Sequence, residues 1–249
     1  MRIKFLTEPA LLLEPDKILV IADLHLGIEY EIFRAGVKIP SQTQKIQDKI
    51  DSLIKQTKAK QLIILGDIKH NIPITSWQET QEIPKFLEHL SKKIKVTIVK
   101  GNHDGDIDTL LGKAKVKIVE PSGFRIKNIG FVHGQAWFDK DLLECEHLIV
   151  AHIHPVVEFF SHGSRITEHC WLHCDVDNEV IEKKFKKKSK IKNAIVMPVF
   201  NHLIGGCAVN SKDFEPIGPL LQNNAINWKE AGIYLLDGTY LGKLDKIKK

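Results

Sequence analysis

Cysteines are scarce in this 249-residue chain. The four cysteines are Cys145, Cys170, Cys174 and Cys207. They lack the C-x-x-C spacing of zinc knots and redox motifs, and a chain of this length does not need disulfides to hold its core. On the strand predicted around residue 170, Cys170 and Cys174 face away from His169 and His173, which argues against a shared zinc site. We therefore interpret the cysteines as free thiols.

Long apolar runs are missing as well. The amino-terminal segment contains only a four-residue apolar stretch, which is closed by Glu14 and Pro15. This stretch is too short for the core of a signal peptide or for a membrane span. The sequence therefore predicts a cytoplasmic protein with no membrane association. Its length and ordinary composition favour one domain over residues 1–249.

Acidic residues are outnumbered by basic ones, 31 against 36, which gives a formal net charge of +5. Much of this excess lies in two segments, 182–192 and 243–249. A basic balance inclines a protein towards polyanionic partners. Lysine runs of this kind, however, are more often solvated loops than binding patches. We favour the solvated-loop interpretation for both segments.

The first half of the chain alternates strand and helix. The predicted strands are 18–22, 61–66 and 95–100, whose continuous apolar character is typical of parallel strands covered on both faces. Ser41 is a plausible cap for a helix after the first strand. Ser76 and Glu79 have the spacing of a capping box for the next helix, which Pro84 is expected to interrupt or restart.

Beyond residue 115 the helical periodicity fades and short strands follow one another. We predict strands at 116–119, 123–127, 129–133, 147–151, 165–174 and 194–200, and a terminal hairpin that turns at Asp237 and Gly238. Two sheets packed face to face with helices outside accommodate both halves. The fold class predicted is thus α/β, a four-layer α-β-β-α sandwich with two mixed sheets.

Five of the apolar runs end in a small polar cluster. These clusters are Asp23 and His25, Asp67, Asn102 to Asp104, His133, and the pair His152 and His154. The carboxyl ends of neighbouring strands meet in the crevice where open α/β sheets bind ligands. Carboxylate, amide and imidazole donors without a thiolate suit divalent Mn, Fe or Zn. The sequence therefore predicts a metal site at one rim of the sheets.

The same clusters match the motifs of a known family. Asp23-Leu24-His25, Gly66-Asp67, Gly101-Asn102-His103-Asp104, His133-Gly134 and His152-Ile153-His154 resemble D-x-H, G-D, G-N-H-[DE], H and G-H-x-H of the calcineurin-like metallophosphoesterases. Two positions depart from the family pattern. Ala151 replaces the usual glycine before the paired histidines, and Gln135 stands where many relatives have a second histidine.

A narrower branch is indicated by two further stretches. Gly66-Asp67-Ile68-Lys69-His70 is similar to the G-D-x-x-H stretch of SbcD-type repair nucleases. Pro198-Val199-Phe200 and Gly205-Gly206 resemble the small SbcD-related phosphoesterases, including those called DNA ligase-associated. The resemblance implies nucleic acid or nucleotide substrates and DNA-repair proteins as candidate partners.

The resemblance also implies a role for each residue of the site. Two divalent ions are expected, with Mn the first choice and Fe, Zn or Ni as alternatives. Asp23, His25 and His154 would hold one ion, Asn102, His133 and His152 the other, and Asp67 would bridge them. His103 would donate a hydrogen bond or proton to the leaving oxygen. Asp104 either orients His103 or caps the turn that follows, and His70 lines the phosphate site.

Three functions are compatible with these residues. The first is hydrolysis of phosphodiesters in nucleic acid or nucleotides by metal-bound hydroxide. The second is phosphoesterase action on a small soluble phosphorylated metabolite. The third is a non-catalytic scaffold, which the intact ligand positions disfavour. Serine/threonine phosphatases are disfavoured too, because the arginine of their G-D-x-x-D-R-G motif is absent from the stretch after Gly66.

Overall fold

Two β-sheets contain most of the regular structure in the computed structural model, which describes residues 1–161 and 163–247. The first sheet has the spatial order β1 (Arg2–Phe5), β2 (Leu11–Glu14), β3 (Ile18–Ala22), β4 (Gln61–Leu65), β5 (Lys95–Val99) and β6 (Val116–Val119). The first three strands are antiparallel, and β3 to β6 are parallel. This sheet is therefore mixed.

The second sheet collects the later strands. They are β7 (Phe124–Ile126), β8 (Ile129–Val132), β9 (His147–Val150), β10 (Pro155–Ser161), β11 (Ser164–Val176), β12 (Asn193–Val196), β13 (Cys207–Ala208), β14 (Ile226–Leu235) and β15 (Tyr240–Lys243). The main spatial order is β13-β10-β11-β12-β9-β8-β7, and the hairpin of β14 and β15 pairs with β11. The strands β8, β9 and β12 run parallel to one another.

Helices cover the outer face of each sheet. The helices of the described residues are α1 (Ile28–Arg34), α2 (Thr43–Thr57), α3 (Trp77–Lys93), α4 (Asn178–Phe185), α5 (Pro219–Gln222) and α6 (Leu244–Ile247), and all but α1 contribute to this cover. Buried side chains of α2 and α3 pack on the first sheet, and those of α4, α5 and α6 pack on the second. No helix among the described residues is both long enough and apolar enough to cross a membrane.

A third apolar layer joins the two sheets. It contains Val20 and Ile63 from the first sheet and Phe131, Ile149 and Trp171 from the second, all of them buried. With helices outside both sheets, this layer completes the α-β-β-α sandwich. The predicted fold class is confirmed.

The structure corrects the sequence prediction for α3. Ser76 and Glu79 form the predicted capping box, but the helix continues through Pro84 to Lys93 without interruption. A proline inside a helix costs about 3 kcal/mol. The apolar face of α3, which includes the fully buried Ile83 and Leu87, offsets this cost, since each large buried side chain contributes roughly 1.5–3 kcal/mol.

Four strands were not predicted: β1, β2, β10 and β13. The buried run Leu11–Leu13 in β2 is too short to be distinguished from an isolated apolar stretch, although it pairs with β3. β10 begins at Pro155, directly after a polar cluster. These strands owe their stability to neighbouring strands, which a local pattern does not show.

The long strand β11 separates its cysteines from its histidines, as predicted. Cys170 and Cys174 are buried in the outer core of the second sheet and are free thiols. His173 lies on the opposite face, where its ring contacts Phe5 and Tyr234 with centroid distances of 4.9 and 4.5 Å. This strand therefore offers no shared zinc site.

The lysine-rich segment 183–192 lies at the amino end of β9 and β12. Lys187 and Lys190 both form ion pairs with Glu144. The backbone N–H of Lys192 donates to the carbonyl of Glu146, the residue before β9. Residues up to Phe185 belong to α4, so only the remainder of the segment is the loop that the sequence predicted. This loop lies at the sheet edge opposite to the carboxyl ends of these strands. The second basic segment is not a loop over its described residues, because Lys243 ends β15 and Leu244–Ile247 form α6, while residues 248 and 249 lie outside the described residues.

Candidate metal centre

The five polar clusters converge at one edge of the two sheets. The parallel register aligns Ala22, Leu65 and Val99 at the carboxyl ends of β3, β4 and β5. In the second sheet, Val132 and Val150 align in the same way. Each cluster follows one of these strand ends, so the loops that carry them meet across the gap between the sheets.

One group of side chains contains Asp23, His25 and His154. Their candidate ligand atoms all lie within 4.8 Å of one another. The Nε2 atoms of His25 and His154 face each other at 3.4 Å, and Nε2 of His154 lies 3.5 Å from Oδ1 of Asp23. This Oδ1 is buried and has no hydrogen-bond partner. Facing ring nitrogens and an unpartnered carboxylate oxygen fit a divalent cation between them.

A second group contains Asp67, His133 and His152, again with ligand atoms within 4.8 Å of one another. Nε2 of His133 lies 3.3 Å from Oδ2 of Asp67 and 3.3 Å from Oδ1 of Asn102. Oδ2 of Asp67 also lies 3.7 Å from Nε2 of His25, which belongs to the first group. Asp67 therefore lies between the two groups.

The ring nitrogens that face the centre suit metal coordination. Nδ1 of His133 donates to the carbonyl of Leu65 at 2.8 Å, a contact that fixes Nε2 as the nitrogen facing the centre. Burial lowers the pKa of His25 to about 3 and that of His152 to about 4. These two imidazoles are therefore neutral near pH 7, which is the form that binds metal.

The backbone is strained at most of these positions. Left-handed φ angles occur at Asp23 (56°), His25 (42°), Asp67 (48°), His152 (76°) and His154 (49°). Residues other than glycine rarely adopt this conformation, which costs roughly 1–2 kcal/mol each. Strain of this kind concentrates at functional sites, where it places side chains that relaxed loops would not bring together.

Ala151, which replaces the family's glycine, fits its position without strain. The residue is fully buried, and its backbone N–H donates to the carbonyl of His133 at 2.8 Å. Its φ is not in the left-handed region. Gln135, the other departure, donates from Nε2 to the carbonyl of Lys100 at 3.0 Å and so ties down the loop before Asn102.

His103 lies beside the two groups with Nε2 facing Asp67. Its backbone N–H donates to Oδ1 of Asp67 at 2.9 Å, and its Nε2 lies 3.9 Å from Oδ2 of the same residue. On the other side of the ring, Nδ1 donates to the carbonyl of His70 at 2.5 Å. The ring is therefore anchored at Nδ1 and presents Nε2 to the centre.

Asp104 is held by backbone groups. Its carboxylate accepts from the N–H groups of Ile68 at 2.9 Å, Gly101 at 3.0 Å and Lys69 at 3.3 Å. Within the described part of the chain, no hydrogen bond joins it to the His103 ring. Asp104 thus fastens the loop of Asp67 to the loop of His103, an arrangement that neither of the two sequence interpretations anticipated.

His70 reaches the rim through contacts that the sequence did not predict. Its Nδ1 lies 3.3 Å from Nδ1 of His25, and its Nε2 lies 2.5 Å from Oε2 of Glu31 in α1. Lys69 is buried, and its Nζ contacts the carbonyl of Asn71 at 2.5 Å. No sequence motif signals Glu31, because its partner His70 lies on a separate loop.

Comparison with known protein families places the fold. The family model for calcineurin-like phosphoesterases matches residues 16–207. The chain belongs to this family. The described residues thus combine a phosphoesterase fold with side-chain clusters suited to divalent metals.

Solved structures resemble the chain over nearly its whole length. The Pseudomonas putida nuclease MPE superposes with a TM-score of 0.59 at 20% identity, covering 96% of this chain and 94% of that one. YfcE, a phosphoesterase from E. coli, superposes with a TM-score of 0.42 at 13% identity, covering 91% of this chain and 97% of YfcE. The likeness to nuclease MPE supports the fold. No curated protein was found to match the chain in sequence.

Gly101 offers a test of the geometry around Asp67. A Cβ atom there would lie 2.1 Å from Oδ1 and 2.5 Å from the backbone nitrogen of Asp67, whereas a Cβ at Gly105 would meet nothing within 4 Å. We expect Gly101→Ala to weaken metal binding about 10–100-fold by displacing Asp67, and Gly105→Ala to leave it unchanged. Metal titration of the stripped proteins measures this, and equal affinities would contradict the assigned geometry.

Metal binding is also expected to release a proton. Burial disfavours the imidazolium of His133, but Asp67 and Asp23 outweigh burial and raise its pKa to about 9. In the metal-free protein the attraction between the His133 imidazolium and these carboxylates therefore stabilises the fold fully below about pH 6.5. This stabilisation is lost as the pH rises through about 9. Because a ligating imidazole is neutral, calorimetric titrations at pH 7 in buffers of different ionisation enthalpy should show about one proton released. Heats that do not depend on the buffer would count against the assignment.

Proposed function

We propose that the protein is a metal-dependent phosphodiesterase that acts on nucleic acid or nucleotide substrates. The position of Asp67 between two groups of imidazole and carboxylate ligands carries this proposal. A carboxylate between two cations offsets their mutual repulsion, and paired divalent ions suit attack at phosphorus. The family membership supports hydrolysis of a phosphoester.

In this proposal the ligands divide between two ions. Asp23, His25 and His154 would hold one ion, Asn102, His133 and His152 would hold the other, and Asp67 would contact both. When bound, such a pair activates water near neutral pH and draws negative charge from the phosphate oxygens. Mn is our first choice, with Fe, Zn or Ni as alternatives, because the donors are oxygen and imidazole nitrogen without sulfur.

His103 is assigned to the leaving group. Its Nδ1 is engaged by the carbonyl of His70, so Nε2 carries a proton only in the imidazolium form. The imidazolium is therefore the species that donates from Nε2 to the leaving oxygen. Asp104 supports this step indirectly, because its carboxylate accepts the N–H of Ile68 in the Asp67 loop and the N–H of Gly101 in the His103 loop and so joins the two loops.

Three observations support a nucleic acid or nucleotide as the substrate. The G-D-x-x-H stretch that ends at His70 resembles SbcD-type nucleases, and His70 lies at the rim of the centre, in contact with His25. The chain carries a net charge of +5. It also shares its fold with a protein described as a nuclease. We accordingly propose DNA-repair proteins as partners and a cytoplasmic location.

One observation favours the alternative, a small soluble phosphoester. The lysine-rich segment lies at the sheet edge opposite to the metal centre, and Lys187 and Lys190 are paired with Glu144. It is therefore not placed to follow a polynucleotide backbone bound at the centre. A small phosphodiester needs only the centre itself.

A substrate panel tests the proposed function. The metal-stripped protein, reloaded with Mn, would be assayed on linear DNA, cyclic nucleotides, bis(p-nitrophenyl) phosphate and p-nitrophenyl phosphate. We expect diesters to be hydrolysed faster than the monoester and all activity to depend on metal. Preference for the monoester would favour the metabolite alternative. Absence of turnover with a full metal content would contradict both functions.

Two substitutions should separate metal binding from catalysis. His103→Ala is expected to keep its metal but to lose turnover about 10²–10⁴-fold, the usual contribution of a general acid. Asp67→Ala is expected to lose both metal and turnover. His147→Ala is the control, because His147 lies at the opposite end of β9 and contacts Asn193. Metal analysis and rates measure the difference, and a His103→Ala protein as fast as the parent would remove His103 from the mechanism.

A further inference from the structure

Glu79 has more contacts than a helix cap requires. Its carboxylate is fully buried in the first turn of α3, and Oε2 accepts from the backbone N–H of Ser76 at 2.5 Å, as a capping box demands. Oε1 accepts two further N–H groups, those of His70 and Asn71, both at 2.8 Å. These two contacts bind the loop beside the metal centre and serve no capping purpose.

The peptide group between His70 and Asn71 connects Glu79 to His103. In a trans peptide the N–H and the C=O point in opposite directions. Because Glu79 takes the N–H of Asn71, the carbonyl of His70 points away from α3, and there it accepts from Nδ1 of His103 at 2.5 Å. A carboxylate on the N–H side also polarises the peptide and makes its carbonyl a stronger acceptor.

The surroundings leave this arrangement little freedom. Nζ of the buried Lys69 contacts the carbonyl of Asn71, the next peptide along. Gly27 packs so closely on Glu79 that a Cβ there would lie 2.5 Å from Cγ of the glutamate. The loop is therefore held by two buried charged side chains, one on its N–H groups and one on a carbonyl.

We propose that Glu79 is a positioning residue for His103, acting through the His70–Asn71 peptide. It fixes Nδ1 as the nitrogen bonded to the protein and keeps Nε2 turned towards the centre. The inference rests on the proposed function, in which His103 serves the leaving oxygen. A purely structural role for Glu79 would disturb all reactions of the site equally, whereas a positioning role depends on how much help the leaving group needs.

Glu79→Gln is the informative variant. It keeps the size of the side chain but replaces one acceptor oxygen with an amide NH₂, which cannot accept from a backbone N–H. Glu82→Gln is the matched control, because Glu82 lies one turn further along α3 and its carboxylate accepts from the hydroxyls of Ser41 and Thr43. Ser76→Ala removes the other half of the capping box and leaves the contacts to residues 70 and 71 in place.

Rates with two leaving groups test the positioning role. We expect Glu79→Gln to slow a diester with an alkyl leaving group at least about tenfold, within the range of general-acid effects, and to change a nitrophenyl diester much less. In a His103→Ala background, Glu79→Gln should cause no further loss. Equal losses with both leaving groups, repeated in the His103→Ala background, would overturn the proposal and leave Glu79 as a structural residue.

A second measurement does not depend on turnover. Nitrogen NMR of histidine-labelled protein reports which ring nitrogen of His103 is protonated, with His103→Ala to assign the signal. We expect the Nδ1–H signal in the parent, Glu82→Gln and Ser76→Ala, and its loss or shift in Glu79→Gln. If Glu79→Gln does not fold, Glu79→Asp, whose side chain is one methylene shorter, replaces it. An unchanged His103 ring signal in Glu79→Gln overturns the proposal. If the unsubstituted protein has no phosphoesterase activity, the proposed function is contradicted, but the NMR signal still decides the role of Glu79.

Discussion

The buried carboxylate of Asp67 is the interaction on which the remainder of the centre depends. Its Oδ2 lies 3.3 Å from Nε2 of His133, 3.7 Å from that of His25 and 3.9 Å from that of His103. Burial alone would raise the pKa of this carboxyl, but the facing imidazoles outweigh burial and hold its pKa well below the usual range. A buried charge is tolerated only when it is paired in this way, so loops of both sheets must close around Asp67.

That closure accounts for features that otherwise look unfavourable. Asp67 and His154 adopt left-handed backbone conformations, and Gly66 and Gly101 lie so close to the ligands that side chains cannot be accommodated there. The sandwich offsets the strain with buried apolar layers on both sides of each sheet. Asp104, whose carboxylate accepts three backbone N–H groups, then holds the Asp67 loop and the His103 loop together. Apolar burial in the layers thus offsets the backbone strain that the geometry of the metal centre requires.

Sequence patterns predicted those parts of the structure that depend on local chemistry. Apolar runs such as 18–22 and 61–65 specify parallel strands, and polar residues at their ends must then share an edge, so it follows from the sequence that the loops of Asp23 and Asp67 lie side by side. Pro84 was misjudged because the packing of α3 on the sheet outweighs the local cost of a proline. Glu79 was predicted as a capping residue, but its contacts with His70 and Asn71 were not, because they depend on a loop placed by tertiary structure.

The positions of the basic groups bear on how a substrate would be held. A strand of four residues, such as β9, spans roughly 13 Å at about 3.3 Å per residue, and the lysine-rich segment and the metal centre lie at its opposite ends. A polynucleotide bound at the centre would therefore have to turn around the edge of the second sheet to reach Lys187 or Lys190, which are already paired with Glu144. Phosphate contacts give nucleic-acid binding its steep salt dependence, and this segment is not placed to make them with a strand bound at the centre. In the proposed function this segment therefore has no part in substrate recognition, and a phosphoester group bound at the centre is what the two candidate substrate classes have in common.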